Sequence, residues 1–211
     1  MKYGILKISL IVFFVACQPG LINLDKAKRA VAEYYDYGTY EKDCKKLIDE
    51  AIEFIDSAEP HDSNAVVFDI DETALDNYSY IKSIGFGYIL DEWNKWVNRA
   101  EAPPNKEVKR FYDYLRSKKI RIIFLSGRHE ETYQATVKNL RSAGYTEYDT
   151  LIIRNDNELN MSASEFKSRI RKELAEKGYR IIANIGDQKS DFEGGYSGYV
   201  IKLPNYLYQV D

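Results

Sequence analysis

Cysteine is nearly absent, with only Cys17 and Cys44 in 211 residues, so no disulfide framework holds this chain together. Long apolar runs are missing too. The N-terminal run, residues 8–16, falls far short of the roughly 20 residues that cross a bilayer. Excess charge is small: a net −3 provides no basic face of the kind nucleic acid recruits. Histidine is scarce, and His61, in the polar turn cluster of residues 59–64, is assigned no role. No internal repeat, low-complexity tract or linker divides the chain, and its length suits one domain with a sizeable core. A composition 45% hydrophobic and 30% charged is that of a globular rather than a disordered protein. Tyrosine, by contrast, is abundant at 18 residues, which suggests a surface rich in amphipathic rings.

The N-terminus reads as a targeting segment. Lys2 and Lys7 precede an apolar run that ends at Phe14-Val15-Ala16-Cys17, a small residue standing before the cleavage point. This ending resembles a bacterial lipoprotein signal, with Phe14 where leucine is usual. The resemblance implies cleavage before Cys17 and its diacylation. Two acyl chains anchor a protein stably where one does not. The expected division is a signal peptide at 1–16, a lipidated tether at 17–24 and a single domain at 25–211. The protein is then exported and lipid-anchored to a bacterial membrane, facing the periplasm or the cell surface.

The chain is organised around Val66-Val67-Phe68-Asp69-Ile70-Asp71-Glu72-Thr73. The uninterrupted apolar run before Asp69 reads as a buried strand of a parallel sheet. If strand geometry persists, Asp69 and Asp71 project from the same side. They then meet at the carboxyl end of a central strand, where open α/β sheets hold their ligands. Two carboxylates that close repel unless a cation or a shared proton relieves them. Taken alone, the pair also fits a solvated strand end with two surface acids.

Further along, Ile122-Ile123-Phe124-Leu125 is a second apolar strand ending at Ser126-Gly127-Arg128. Lys167 lies on a basic helix with Arg169, Arg171 and Lys172, a pattern that also suits a solvated face. Asn184-Ile185-Gly186-Asp187-Gln188-Lys189-Ser190-Asp191 closes another strand. Strands at 120–125, 150–153, 180–185 and 199–201 alternate with helices at 108–115, 132–143 and 163–177. Alternation at this spacing predicts a Rossmann-like three-layer α/β/α sandwich around a central parallel sheet. Two N-terminal helices cover 24–58, with a break at Tyr37-Gly38-Thr39. The first has Ala27, Ala30, Val31 and Tyr34 on one face. Residues 74–119 form an insertion too long for a plain crossover helix, read as a small helical cap. Its Trp93, Trp96 and Val97 share a helical face suited to packing, while Tyr80 is the best placed ring to stack on a substrate.

The order of hhhhDxDxT, hhhhSGR, lysine and GDxxxD resembles the haloacid dehalogenase (HAD) superfamily. The phrases DETALDNYSY, LSGRHE, FKSRIRKELAEKGYRIIANIGDQKSDF and IKLPN are similar to its class B/class C acid phosphatases and plant vegetative storage proteins. That resemblance covers about residues 25–208. It implies a Mg²⁺-dependent phosphomonoester hydrolase acting on 5′-nucleotides or similar small esters. Asp69 is then the nucleophile and Asp71 the general acid/base. Asp69, the backbone carbonyl of Asp71, Asp187 and Asp191 are the expected ligands of Mg²⁺, whose preference is for oxygen. Ser126, Gly127 and Lys167 are placed around the phosphate, Thr73 fixes the loop or binds phosphate too, and Arg128 and Asn184 lie behind them. A phosphotransferase of the same fold and a non-enzymatic surface or storage protein are the competing expectations. The partners expected are a small phosphate ester, the membrane through Cys17 and a second copy in a homodimer.

If Cys17 is acylated, the native protein partitions into detergent and takes up labelled fatty acid, and Cys17→Ser does neither. A fully soluble wild type whose N-terminus is not Cys17 is the opposing result.

Overall fold

The computed structural model describes residues 21–210, so the expected signal peptide, Cys17 and most of the expected tether lie outside the described residues. Helix α1, Leu24–Asp36, starts where the Asn23 side chain accepts hydrogen bonds from the Asp25 and Lys26 amides. Gly38, at φ 77°, turns the chain into α2, Thr39–Ser57. Cys44, Ile48, Ala51 and Ile55 fall on one stripe of α2 and are buried. Helix α1 differs from expectation, since none of its residues is buried. Its attachment is aromatic instead. Tyr35 stacks on Tyr40 and on Tyr78, each at 4.5 Å between centroids, and Tyr34 meets Tyr206 edge-on at 5.0 Å. Part of the tyrosine excess is spent on this seam.

Strand β1 is Asn64–Phe68, buried throughout. Helices α3, Tyr78–Ser83, α4, Leu90–Arg99, and α5, Lys106–Ser117, follow. Then come β2, Arg121–His129, α6, Tyr133–Ser142, β3, Thr150–Arg154, α7, Ala163–Glu176, β4, Arg180–Gly186, and β5, Tyr199–Lys202. The five strands pair in parallel in the order β3-β2-β1-β4-β5. The chain thus winds outward from β1 in both directions, which opens a crevice at the carboxyl ends of β1 and β4.

Alternation along the strands divides the core into two faces. Val66, Phe68, Ile122, Phe124 and Ile185 pack with α2 and α5 on one side. Ala65, Val67, Ile123 and Leu125 lie beneath Phe166, Ile170 and Leu174 of α7 on the other. The result is the three-layer α/β/α sandwich.

Two expectations need correction. Strand β2 does not stop at Leu125 but runs through Ser126-Gly127-Arg128 to His129, with a register shift against β3 between Leu125 and His129. Such an irregularity re-aims side chains at a strand end, here into the cleft. The 74–119 insertion is also narrower as a cap. Val108, Phe111, Tyr112 and Leu115 of α5 belong to the main core, so α5 is the crossover helix and only α3 and α4 stand over the cleft.

Phe124 is fully buried, with the rings of Phe68, Tyr145 and Tyr148 within 5.7 Å of its own, centroid to centroid. Phe124→Ala should therefore destabilise the fold by about 3–5 kcal/mol in denaturant titration. A loss under about 1 kcal/mol would show that the face covered by α2 and α5 is not packed as described.

Candidate active site

Strand pairing carries on just past β1, because the Asp69 amide donates to the Ile185 carbonyl at 2.9 Å. The chain then turns sharply. The Leu75 amide returns to the Ile70 carbonyl at 2.8 Å, and Glu72 adopts a positive φ of 54°. A left-handed glutamate is uncommon and marks a backbone held by its surroundings. Here the Glu72 carboxylate accepts from the Asn77 amide and the Tyr208 hydroxyl. The turn leaves Asp69 and Asp71 facing one cleft, as the spacing predicts.

The loop after β4 meets them. Asp69, Asp187 and Asp191 are buried, and each offers an oxygen within 4.8 Å of the others. Lys167 enters from α7 and donates to Asp69 at 2.6 Å and to Asp191 at 2.5 Å. The far sides of these acids are also occupied. Asp187 accepts from Thr73 at 3.2 Å and from Gln188 and Asn205 at 2.6 Å each. Asp191 accepts from the Gln188 amide at 2.8 Å. Gly186 is required by this packing, since a Cβ there would lie 2.2 Å from the Asp191 carboxylate.

The electrostatics follow from burial. Desolvation pushes the Asp69 carboxyl well above its usual range, with Lys167 opposing and Asp191 and Asp187 reinforcing. Burial, with Asp191 adding to it, pushes Asp187 up to about 6. Burial alone would lower the Lys167 ammonium, but its two carboxylates reverse this and raise it. Three buried carboxylates around one ammonium leave negative charge uncompensated. The donors are all oxygen, the preference of a hard divalent cation. Asp69, Asp187 and Asp191 therefore fit a divalent metal, as the carboxylate pattern implies.

Asp71 lines the same cleft with different partners. Arg128 grips it bidentately, at 2.9 and 2.7 Å, and Asn77 donates at 3.0 Å. Thr136 accepts from the remaining end of the same guanidinium at 3.0 Å. Arg128, expected behind the site, is instead in direct contact with Asp71. Ser126 is buried in the cleft wall beside Gly127, and its hydroxyl accepts from the Arg128 amide at 3.2 Å. Tyr80 lies in the same wall with Phe86, Tyr88 and Trp93. One face of its ring is covered by Trp96, stacked at 5.0 Å and 5°. Asn184 lies behind the metal-type cluster, donating to the Asp191 carbonyl at 2.6 Å.

Four participants escaped the sequence reading. Arg171, grouped with a basic helix face, is fully buried and donates to the carbonyls of Asp191, Glu193 and Gly195. Its four-residue spacing from Lys167 was the available signal, one helical turn along one face. Asn205 lies in the IKLPN phrase but was assigned no role, and Tyr208 and Arg154 offered no signal, because all three are far in sequence from the residues they meet.

Comparison with known proteins places this geometry. Residues 21–211 match the sequence family described as HAD superfamily, subfamily IIIB (Acid phosphatase). The stem 28 kDa glycoprotein of Glycine max is 34% identical over 192 residues, 88% of this chain and 76% of that protein. Acid phosphatase 1 of Solanum lycopersicum is 33% identical over 186 residues, 85% of this chain and 73% of that one. Vegetative storage protein 2 of Arabidopsis thaliana is 36% identical over 151 residues, 70% and 57% of the two chains. The class C acid phosphatase of Bacillus anthracis shares the fold, with a TM-score of 0.73, 24% identity and coverage of 88% and 86%. The chain belongs to the acid phosphatases of HAD superfamily subfamily IIIB, a phosphomonoesterase family.

Proposed function

We propose that this chain hydrolyses small phosphate monoesters, 5′-nucleotides among them, in a Mg²⁺-dependent reaction through an aspartyl phosphate on Asp69. The observation that carries this reading is the difference in partners between the two carboxylates that face the cleft. Asp69 shares Lys167 and the metal-type cluster, while Asp71 is held by Arg128. Two carboxylates in different environments suit two different roles.

Lys167, with a bound cation, would ionise Asp69 against the burial that favours its neutral form. Asp69 then attacks phosphorus as its carboxylate, while Asp71 gives a proton to the departing ester oxygen. Asp71 then takes a proton from water as that water attacks the aspartyl phosphate, releasing phosphate and restoring Asp69. Ser126 and the Gly127 amide hold phosphoryl oxygens, and Lys167 presents fixed positive charge to them. Thr73 orients Asp187 through its hydroxyl. Asp69, Asp187, Asp191 and the Asp71 carbonyl would hold a Mg²⁺, which when bound would supply charge neutralisation. The aromatic wall of the cleft, about 610 Å³ in volume, supports a flat leaving group such as a nucleoside. Relatives named vegetative storage proteins raise the alternative of a non-enzymatic role. The full set of Asp69, Asp71, Lys167, Asp187 and Asp191 favours the enzyme. We also propose anchoring through Cys17; among the described residues no helix is long and apolar enough to cross a membrane.

Asp69→Asn should keep the fold and lower turnover by roughly 10³-fold or more. Asp71→Asn should impair alkyl phosphates far more than nitrophenyl phosphate, whose leaving group needs no proton. Near-normal turnover by Asp69→Asn would place the chemistry elsewhere.

The metal cluster has a separate signature. A carboxyl whose pKa rises on folding binds its proton more tightly in the folded state, so ionising it costs stability. For Asp187 that cost is absent below 3.8, grows as pH rises to about 6 and is complete above it. Metal-free wild type should lose stability relative to Asp187→Asn across this window in denaturant titrations. Near neutral pH, Mg²⁺ should restore it in the wild type and much less in the variant. Parallel pH profiles for the two proteins, with no response to Mg²⁺, would count against the cluster as a metal site.

A further inference from the structure

The permanently charged side chains that line the cleft differ in how far the protein neutralises them. Lys167 is shared by two carboxylates, and Arg128 is locked to Asp71. Arg154, at the end of β3, also lines the cleft, yet no carboxylate among the described residues pairs with it. Glu158, the carboxylate whose charge reaches Arg154, is ion-paired with Arg169. Burial lowers the Arg154 pKa, and Glu158 only partly offsets this.

The guanidinium is nonetheless fixed in place. Its Nη1 donates to the Met161 carbonyl at 3.0 Å, and its plane lies over the Phe166 ring at 5.3 Å. Its Nε is buried and has no hydrogen-bond partner. That nitrogen is the nearest heavy atom to the position a Gly127 Cβ would take, at 3.9 Å. The guanidinium therefore lies within van der Waals reach of Gly127 on β2, next to Ser126, whose hydroxyl is proposed to bind phosphate. Phe166, on its other side, precedes Lys167. A positive group held rigidly on a cleft wall, without a counter-charge and with an orphaned donor, is a receptor short of its anion.

We propose that Arg154 binds an oxyanion of the substrate, in addition to Lys167. The assignment rests on the phosphatase reading above. The anion comes from one of two sources: the reacting phosphoryl group, or a second acid group on the leaving group. Adjacency to Gly127 puts either one beside the phosphate site, and a guanidinium's parallel N–H groups match phosphate and carboxylate alike.

The test compares wild type, Arg154→Gln and Arg154→Lys in Mg²⁺, after circular dichroism and thermal melting have verified the fold. Kinetics use phenyl phosphate, which has no second acid, and phosphoglycolate, which has one. Titration calorimetry with inorganic phosphate measures binding independently of turnover. For Arg154→Gln, KM should rise roughly tenfold or more with little change in kcat, and Arg154→Lys should recover part of the loss. A rise for both esters, with weaker phosphate binding, assigns the anion to the reacting phosphoryl group. A rise for phosphoglycolate alone, with phosphate binding unchanged, assigns it to a second acid. Unchanged KM and unchanged phosphate affinity in both variants overturn the proposal. A wild type that binds phosphate but hydrolyses neither ester would sink the phosphatase reading instead, and the calorimetric comparison would still decide the role of Arg154.

Discussion

One ammonium holds the cleft together. Lys167 Nζ lies 2.6 Å from Asp69 and 2.5 Å from Asp191, and all three groups are buried at the end of an apolar sheet. Carboxylates lose hydration there, and their mutual repulsion grows as the dielectric falls. Removing one partner of such a buried set leaves an unpaired charge, at a cost of about 3–5 kcal/mol. The surrounding structure keeps the set intact. Phe166, Ile170 and Leu174 press α7 onto the sheet, which points Lys167 inward one turn before Arg171. Arg171 in turn ties down the carbonyls of the loop that carries Asp191.

The sheet order explains why the acids can meet at all. β1 and β4 are adjacent although more than 100 residues separate their ends. The switch in winding direction at β1 leaves the crevice open to ligands. Segments distant in sequence then enclose it. The cap helices bring the aromatic wall. The stretch after β5 returns across the site, where Asn205 bonds to Asp187 and Tyr208 to Glu72. The tyrosine seam ties α1 to both, through Tyr78 on the cap side and Tyr206 beyond β5.

Much of this was legible in the chain. The apolar run before Asp69 marked β1 to within a residue, because a strand buried on both faces needs no polar alternation. The break at Gly38 and the boundaries of α7 were equally plain, since a turn glycine and helical periodicity are local signals. The end of β2 was not, because Ser126-Gly127-Arg128 looks like a loop until β3 pairs with it again at His129. The core role of α5 was hidden as well. Its apolar stripe shows that it packs, not whether the partner is the cap or the sheet.

The amino-acid sequence by itself determined the elements, their alternation, and the motifs that hold Asp69, Asp71, Lys167 and Asp187. Each of these is written within a few neighbouring residues by periodicity, chain reversal or side-chain chemistry. Only the tertiary structure decided which charges are paired. Nothing local distinguishes Arg128, locked to Asp71, from Arg154, which pairs with no carboxylate among the described residues, because that depends on which strands lie side by side. Helical spacing puts Lys167 and Arg171 on one face, but only the packing shows that this face is buried while Arg169 and Lys172 are not. Burial and pairing are properties of the packed surface, and they set the electrostatics from which the chemistry follows.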